Sequence, residues 1–211
     1  GGTNFPHKKR EQLIFLLNRP NTDIHVELES EVSFSNLIAL LLSTPREQIF
    51  NSPIDGCVFV KPDTYQNSKP ELIKGIQPNR IRDLDSIPSP YLNGMLDSFF
   101  DGKLTPFLET NRGCPFKCSF CHTGNDFFQK TNLFSLERIK EEISYIAPRA
   151  AELGIVNLHI ADTNFGMYKR DRDITIYLRE AHDKYGWPMQ IMATTGKNNK
   201  ELVIDITSIM G

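Results

Sequence analysis

Three cysteines within eight residues constrain this chain more than any other feature of its sequence. Cys114, Cys118 and Cys121 stand at C-x3-C-x2-C spacing within residues 109–124, ETNRGCPFKCSFCHTG. The apolar residues 106–108 lead into this stretch and predict a strand that runs into a loop. Three thiolates this close in sequence can converge on one soft metal centre if the loop curls back on itself. The pattern therefore predicts a strand followed by a metal-binding loop.

The number of available ligands favours an iron–sulfur cluster over zinc. A structural zinc site normally has four protein ligands. The nearby fourth candidate, His122, is adjacent to Cys121, and neighbouring side chains rarely converge on one ion. An iron–sulfur cube tolerates three thiolates, because its fourth iron can take a non-protein ligand. Zinc and a chance grouping of cysteines remain the alternatives at this point.

The residues between and around the cysteines carry a family resemblance. Arg112-Gly113 precede the first cysteine, Pro115 follows it, and Phe120 stands immediately before the third. With these residues the loop resembles the cluster loop of the radical S-adenosylmethionine (radical SAM) superfamily. The resemblance implies that the three cysteines hold a 4Fe–4S cluster whose open iron is chelated by S-adenosylmethionine. It also implies reductive cleavage of that cofactor to a 5′-deoxyadenosyl radical, with Phe120 against the adenine; the alternative for Phe120 is an apolar wall beside the cluster.

Composition narrows the classes of function. The 211 residues are 39% hydrophobic and 24% charged, which is ordinary for a soluble globular protein. A net charge of −2 argues against a dominant electrostatic footprint for nucleic acid. No apolar run approaches the roughly 20 residues that span a bilayer. Clustered cysteines without a signal peptide indicate a reducing cytoplasm, and the isolated Cys57 in GCVFV is predicted to be a buried structural thiol.

Residues 1–60 read as an α/β segment. A helical apolar stripe covers 8–18, alternating residues predict a strand over 22–28, and a second helix follows Ser33 and stops before Pro45. This alternation predicts the C-terminal part of a doubly wound sheet.

The same segment carries a second resemblance, to the last third of the cobalamin-binding domain that precedes the radical SAM domain in one subclass. The matching residues, separated by a helix and a strand, are Gly1-Gly2, Glu29-x-Glu31, Phe34 and Leu37-Ile38. The usual middle motif is G-E-G-E, and Leu28-Glu29-Ser30-Glu31 lacks both of its glycines. The resemblance implies that Gly1 and Gly2 lie by the nucleotide tail of cobalamin; the alternatives are a tight turn or an expression scar.

Residues 61–104 are predicted to be a connector, because prolines punctuate them and no long periodic segment fits. Within it, residues 83–94, DLDSIPSPYLNG, resemble the linker between the cobalamin and radical SAM domains of that subclass. This strap is expected to pack Ile87, Tyr91 and Leu92 onto the barrel. The chain opens on Gly1 without a methionine and closes on Gly211 directly after a helix, so we expect a piece of a longer protein that lacks turnover by itself.

Residues 105–211 are predicted to form the first three βα units of a partial (β/α)6 barrel, the radical SAM fold. After the cluster strand, strands are expected over 155–161 and 188–193, and helices over 135–153, 173–185 and 199–210. Parallel βα units place their active site at the C-terminal ends of the strands.

Asp162 and Asn164 follow the second of these predicted strands and are therefore candidate cofactor-binding residues. The resemblance implies that this strand end approaches the amino group of S-adenosylmethionine, and an aspartate can accept hydrogen bonds from an ammonium or a ribose hydroxyl. The alternative is that both residues cap their own loop through Asx-type bonds.

The resemblances together imply a radical SAM enzyme that uses a 4Fe–4S cluster, S-adenosylmethionine and cobalamin. They imply methyl transfer or related carbon-radical chemistry on a small, natural-product-like substrate. The electron would come from an external donor such as flavodoxin or ferredoxin, and nucleic acid is not expected as a partner. The alternatives from other classes are an iron–sulfur electron-transfer module and a zinc-stabilised nucleic-acid-binding protein.

Overall fold

The computed structural model describes residues 5–211, so the predictions for Gly1 and Gly2 lie outside the described residues. The chain divides into two compact units, Gly1–Ile81 and Arg82–Gly211. The segment 61–104, which we predicted to be one connector, is therefore divided between the units. Among the helices of residues 5–211, none combines the length and apolar character that a bilayer crossing requires.

Helices and strands alternate along most of the chain. The α-helices are α1 (Lys9–Leu17), α2 (Glu31–Ser43), α3 (Arg46–Ile49), α4 (Leu136–Glu152), α5 (Arg170–Tyr185) and α6 (Lys200–Met210). The strands are β1 (His25–Val26), β2 (Cys57–Val60), β3 (Leu72–Lys74), β4 (Phe107–Leu108), β5 (Asn111–Arg112), β6 (Asn132–Leu133), β7 (Asn157–Phe165) and β8 (Gln190–Thr195). The fold class is α/β, as predicted.

The first unit is a three-stranded sheet with helices on both faces. All four residues of the central strand β2 are buried, because each face of the sheet is covered. Cys57 and Phe59 pack on one face with residues of α2 and α3, whereas Val58 and Val60 pack on the other with Leu16 of α1. Burial raises the pKa of Cys57 to about 11, with Glu27 and Asp55 adding to the effect. The prediction of a buried structural thiol is confirmed.

The strand directions in this unit differ from the expected doubly wound arrangement. β1 pairs with β2, and β2 with β3, both antiparallel, so the described residues of this unit contain no parallel pair. Parallel neighbours need a crossover connection, usually an α-helix. Residues 61–71 between β2 and β3 contain only a short 3-10 turn, and the chain reverses instead. Sequence periodicity predicted the elements but not their pairing.

The segment Leu28–Glu31 lacks both glycines of the G-E-G-E motif, yet one of its residues, Leu28, has a backbone conformation that favours glycine. Leu28 has a φ of 58°, in the left-handed region, where a bulky side chain is strained. Ser30, the other position at which the G-E-G-E motif has glycine, has an ordinary φ of −97°. The carboxylate of Glu29 accepts hydrogen bonds from Arg80 Nε at 2.6 Å and from the Ile81 backbone at 2.8 Å. This carboxylate is thus fixed within its own unit.

The second unit is built on a parallel sheet of order β4–β7–β8. Phe107 and Leu108 pair with His159 and Ile160, and β7 then pairs with β8. The fully buried core includes Leu108 and residues of β7, α4 and α5, namely Leu158, Ile160, Ile139, Ile143, Ile146, Ile174 and Leu178. With α4, α5 and α6 following the three strands in turn, the unit contains the three βα units that the sequence predicted.

Strands β7 and β8 extend further than the sequence indicated. Both were expected to end earlier, at residues 161 and 193, and residues 162–166 were expected to form a loop. Between the pairs Ile160–Ala193 and Phe165–Thr195, β7 advances by five residues and β8 by two. Asp162 and Asn164 therefore lie in an irregular strand end rather than in a loop. Such an irregularity leaves residues out of the regular ladder and redirects their side chains.

In the structure the strap comprises residues 82–104 rather than 83–94; it belongs to the second unit and is held by polar contacts. Ser89 Oγ donates to Glu142 Oε1 at 2.6 Å, and Arg138 Nη1 donates to the Ile87 carbonyl at 2.6 Å. Tyr91 is buried, as expected, whereas Leu92 remains exposed. Hydrogen bonds to α4 thus hold the strap in addition to the packing of Tyr91, and apolar patterning does not report them.

Candidate iron–sulfur and cofactor site

A narrow neck closes the cysteine loop. β5 and β6 pair antiparallel directly on either side of it, and the Cys114 backbone donates to the Phe128 carbonyl at 2.8 Å. Gly113 occupies the neck with a φ of 119°, and a Cβ there would lie 2.6 Å from the Lys130 carbonyl oxygen. Only glycine fits this position, because the φ is unfavourable for other residues and the space is absent.

The three cysteines occupy different environments along the loop. Cys114 is 2% exposed, whereas Cys118 and Cys121 are half-buried, and none forms a disulfide. A backbone hydrogen bond of 3.1 Å from Cys121 to the Cys118 carbonyl keeps the last two in one turn. Within residues 5–211, no group of three or more His, Cys, Asp or Glu side chains converges closely enough to hold a metal ion. The convergence of the three cysteines on one metal centre thus stays a prediction.

The thiol of Cys121 is biased toward its metal-binding form. Its Sγ lies 3.1 Å from Thr123 Oγ1. This hydrogen bond lowers the pKa of Cys121, and the positive charge of Lys197 adds a smaller effect in the same direction. The thiolate is the metal ligand. Lys197 lies just beyond β8, so a residue at the end of the third parallel strand also influences the cysteine loop through its charge.

Asn164 connects β7 to the first cysteine. Its Nδ2 donates to Cys114 Sγ at 3.1 Å and to Thr163 Oγ1 at 3.3 Å. Thr163 Oγ1 in turn donates to the Gly113 carbonyl at 3.1 Å. Asn164 is 1% exposed, so this contact is shielded from water. The sequence placed Asn164 at the correct strand end but did not indicate its sulfur partner.

Asp162 is directed toward the residues before the cysteine loop, not toward open space at the strand end. It is 2% exposed. Its carboxylate accepts hydrogen bonds from the Thr110 backbone at 2.8 Å, from the Thr110 hydroxyl, and from Asn111 Nδ2 at 2.7 Å. Burial raises the pKa of Asp162 to about 6, although the hydrogen bonds from Thr110 and Asn111 oppose this shift.

These contacts change the interpretation of Asp162. Both of its oxygens already accept hydrogen bonds from Thr110 and Asn111, and contact of Asp162 with a cofactor stays a prediction. The alternative of an Asx-type cap on its own loop does not describe these bonds, because the partners lie 51 or 52 residues earlier. Thr110 and Asn111 carry no periodic or spacing signal, and sequence reasoning missed them. The structure therefore gives Asp162 the role of an anchor for the start of the cluster loop.

Phe120 stands out from the loop. It is 90% exposed, so its ring is accessible to another molecule. A stacking partner such as an adenine would cover this ring. The contact with adenine stays a prediction.

A parallel βα sheet whose first strand leads into a three-cysteine loop is the arrangement of the radical SAM class of enzymes. No protein-family profile matches the chain, but relatives with known names do. The chain is 32% identical to the cobalamin-dependent radical SAM methyltransferase TokK of Streptomyces tokunonensis, and 30% identical to the 2-(S-pantetheinyl)-carbapenam-3-carboxylate methyltransferase of Streptantibioticus cattleyicolor. Over almost its whole length the chain is therefore similar to cobalamin-dependent radical SAM enzymes.

The matches cover almost all of this chain but only part of each relative. Each covers 98% of this chain but 29% of the relative, so the chain spans less than a third of the length of these proteins. The cobalamin-dependent S-adenosylmethionine radical enzyme OxsB, solved with aqua-cobalamin and S-adenosylmethionine, matches with a TM-score of 0.56 at 18% identity over 93% of this chain and 27% of OxsB. The methyltransferase TsrM from Kitasatospora setae, solved with cobalamin and a [4Fe-4S] cluster, matches with a TM-score of 0.54 at 12% identity over 92% of this chain and 37% of TsrM. These two similarities support the fold.

Proposed function

We propose that this chain is the cluster-binding part of a cobalamin-dependent radical SAM methyltransferase. The observation that carries the proposal is the position of Cys114, Cys118 and Cys121 on a loop that follows the first strand of a parallel βα sheet. The proposal assigns residues 105–211 to the N-terminal half of the radical SAM barrel. It assigns 1–60 to the end of a cobalamin-binding-like domain, with 61–104 between them.

The donor set of the loop fits a 4Fe–4S cluster. Three free thiols are present in the loop, and the fourth iron of such a cluster can take a non-protein ligand. The neck at Gly113 fixes the first ligand, and the buried amide of Asn164 supplies a donor that suits a thiolate, which can only accept. Cys114, Cys118 and Cys121 are therefore the proposed ligands.

The residues of this chain position and shield the chemistry. When bound, the cluster supplies the electron that cleaves the sulfonium of S-adenosylmethionine. Asp162 holds Thr110 and Asn111 in place before the loop, and Asn164 orients the sulfur of Cys114. Phe120 is proposed to cover the adenine, because its exposed ring is available for stacking.

The relatives indicate the class of reaction and substrate. Three of the similar proteins are methyltransferases: TokK, the enzyme named for 2-(S-pantetheinyl)-carbapenam-3-carboxylate, and TsrM, whose structure contains tryptophan as substrate. We therefore propose methyl transfer through cobalamin to a carbon of a small molecule. The electron would come from a small donor protein such as flavodoxin or ferredoxin.

Iron content tests this proposal in the full-length protein. After anaerobic reconstitution, the wild type should hold about four irons, and each of Cys114→Ala, Cys118→Ala and Cys121→Ala should lose them. Cys57→Ala is the matched control, because that thiol is buried in the other unit and its pKa is raised to about 11. The reduced wild type should also release 5′-deoxyadenosine. Unchanged iron in all three loop variants would refute the assignment.

A further inference from the structure

We propose that Asn164 is a positioning residue that raises the reduction potential of the iron–sulfur cluster by donating a hydrogen bond to the sulfur of Cys114. The inference rests on the proposed function, because it needs the cluster to be present. It goes beyond that function by assigning to one uncharged side chain the control of how readily the cluster accepts its electron.

The first support is the geometry of the contact. Asn164 Nδ2 lies 3.1 Å from Cys114 Sγ, and both residues are almost fully buried. Because water is excluded from this site, a water molecule cannot replace the sulfur of Cys114 as the acceptor of the amide hydrogen bond. The irregular end of β7 allows the side chain to reach the loop, since the pairing with β8 is interrupted between Ile160 and Phe165.

The second support is the network that fixes which end of the amide faces the sulfur. The hydroxyl of Thr163 donates its only proton to the Gly113 carbonyl at 3.1 Å. The same oxygen can therefore only accept from Asn164, which requires Nδ2 on that side. The second proton of Nδ2 is then left for Cys114, and the opposite oxygen, Oδ1, is buried without a partner among the described residues.

The direction of the effect follows from charge. Each electron added to the cluster increases negative charge on its sulfur ligands, and a hydrogen-bond donor stabilises that charge. Hydrogen bonds to the sulfurs are among the factors that set iron–sulfur potentials, and partners of this kind tune metal sites generally. Removing the donor should therefore make the midpoint potential more negative.

The experiment compares midpoint potentials of the reconstituted full-length protein, read by the electron paramagnetic resonance signal of the reduced cluster. Asn164→Leu removes the donor at similar volume, and Asn164→Asp replaces it with an acceptor. Both should shift the potential in the negative direction, the aspartate further. Asn157→Leu is the matched control, because this asparagine begins β7 at the opposite end of the strand from Asn164 and makes no contact with a cysteine sulfur among the described residues. Its potential should stay at the wild-type value.

A measurement without substitution guards against variants that fail to fold. In wild-type protein grown with isotope-labelled asparagine, pulsed electron paramagnetic resonance should detect coupling between the reduced cluster and a side-chain amide nitrogen. A loaded cluster with no such coupling, or with an unchanged potential in Asn164→Leu, overturns the inference and leaves the proposed function intact. A wild type that binds no iron overturns both.

Discussion

The side-chain amide of Asn111 donates a hydrogen bond of 2.7 Å to the carboxylate of Asp162, a residue 51 positions later in the chain. Together with the two bonds from Thr110, this contact joins the second strand of the parallel sheet to the segment that enters the cysteine loop. A buried carboxylate is costly unless it is well hydrogen-bonded. The position of the loop therefore depends on this network as well as on the neck at Gly113.

Asp162→Asn should remove one pH dependence of stability. The pKa of Asp162 is about 6 in the folded protein and 3.8 in the reference state. The folded state therefore binds more protons in this window, and the free energy of unfolding falls as the pH rises from about 4 to about 6. A shift of this size corresponds to at most about 3 kcal/mol. Urea unfolding across this range should show the slope in the wild type and not in Asp162→Asn. Asp173→Asn, the same change at an exposed position, should keep the slope; its loss there would contradict this attribution.

Tyr91→Phe should destabilise the second unit. The Tyr91 hydroxyl donates to the Phe107 carbonyl at 2.8 Å and accepts from the Phe107 backbone amide at 3.0 Å, so it satisfies both groups on the free edge of β4. Leaving them unpaired should cost roughly 1–3 kcal/mol. The midpoint of urea unfolding measures this loss. Tyr185→Phe, at the C-terminal end of α5, should change it little, and equal effects of the two substitutions would argue against a specific role for the edge contact.

At position 28, the glycine variant should be more stable than the alanine variant, which is the reverse of the usual order. Because Leu28 has a φ of 58°, alanine there retains the backbone strain and glycine relieves it. We expect Leu28→Gly to be more stable than Leu28→Ala by about 1 kcal/mol. Ser35 is the control, since it is an exposed residue inside α2 and Ser35→Ala should be more stable than Ser35→Gly. Thermal unfolding of the four variants gives the answer, and the normal order at both positions would show that residue 28 is not strained.

Phe120→Ala should weaken S-adenosylmethionine binding in the full-length protein without lowering stability. Loss of a stacking contact costs roughly 0.5–1.5 kcal/mol, or about two- to twelvefold in affinity. Because the ring is 90% exposed, the unfolding temperature should not change. Equilibrium binding of S-adenosylmethionine measures the affinity, with Phe99→Ala, an exposed phenylalanine of the strap, as the control. Unaltered affinity in Phe120→Ala would leave the ring as a wall of the loop.

The sequence by itself determined the features that depend on neighbouring residues. The spacing of Cys114, Cys118 and Cys121 was readable, because ligand spacing is a local property of the sequence. The three βα units were readable from apolar periodicity. The helix predicted over 135–153 matches α4, Leu136–Glu152, whose N-cap Ser135 accepts a hydrogen bond from the Arg138 backbone at 3.1 Å.

Only the tertiary structure decided which distant residues meet. The antiparallel pairing of β1 and β2, the sulfur contact of Asn164 and the anchoring role of Asp162 each join segments far apart in the chain. Such contacts depend on strand direction and register, and a shift of one residue would turn each side chain to the opposite face. Local patterns predict that a polar residue ends a strand, but not which partner it meets, because packing of the whole sheet sets that choice.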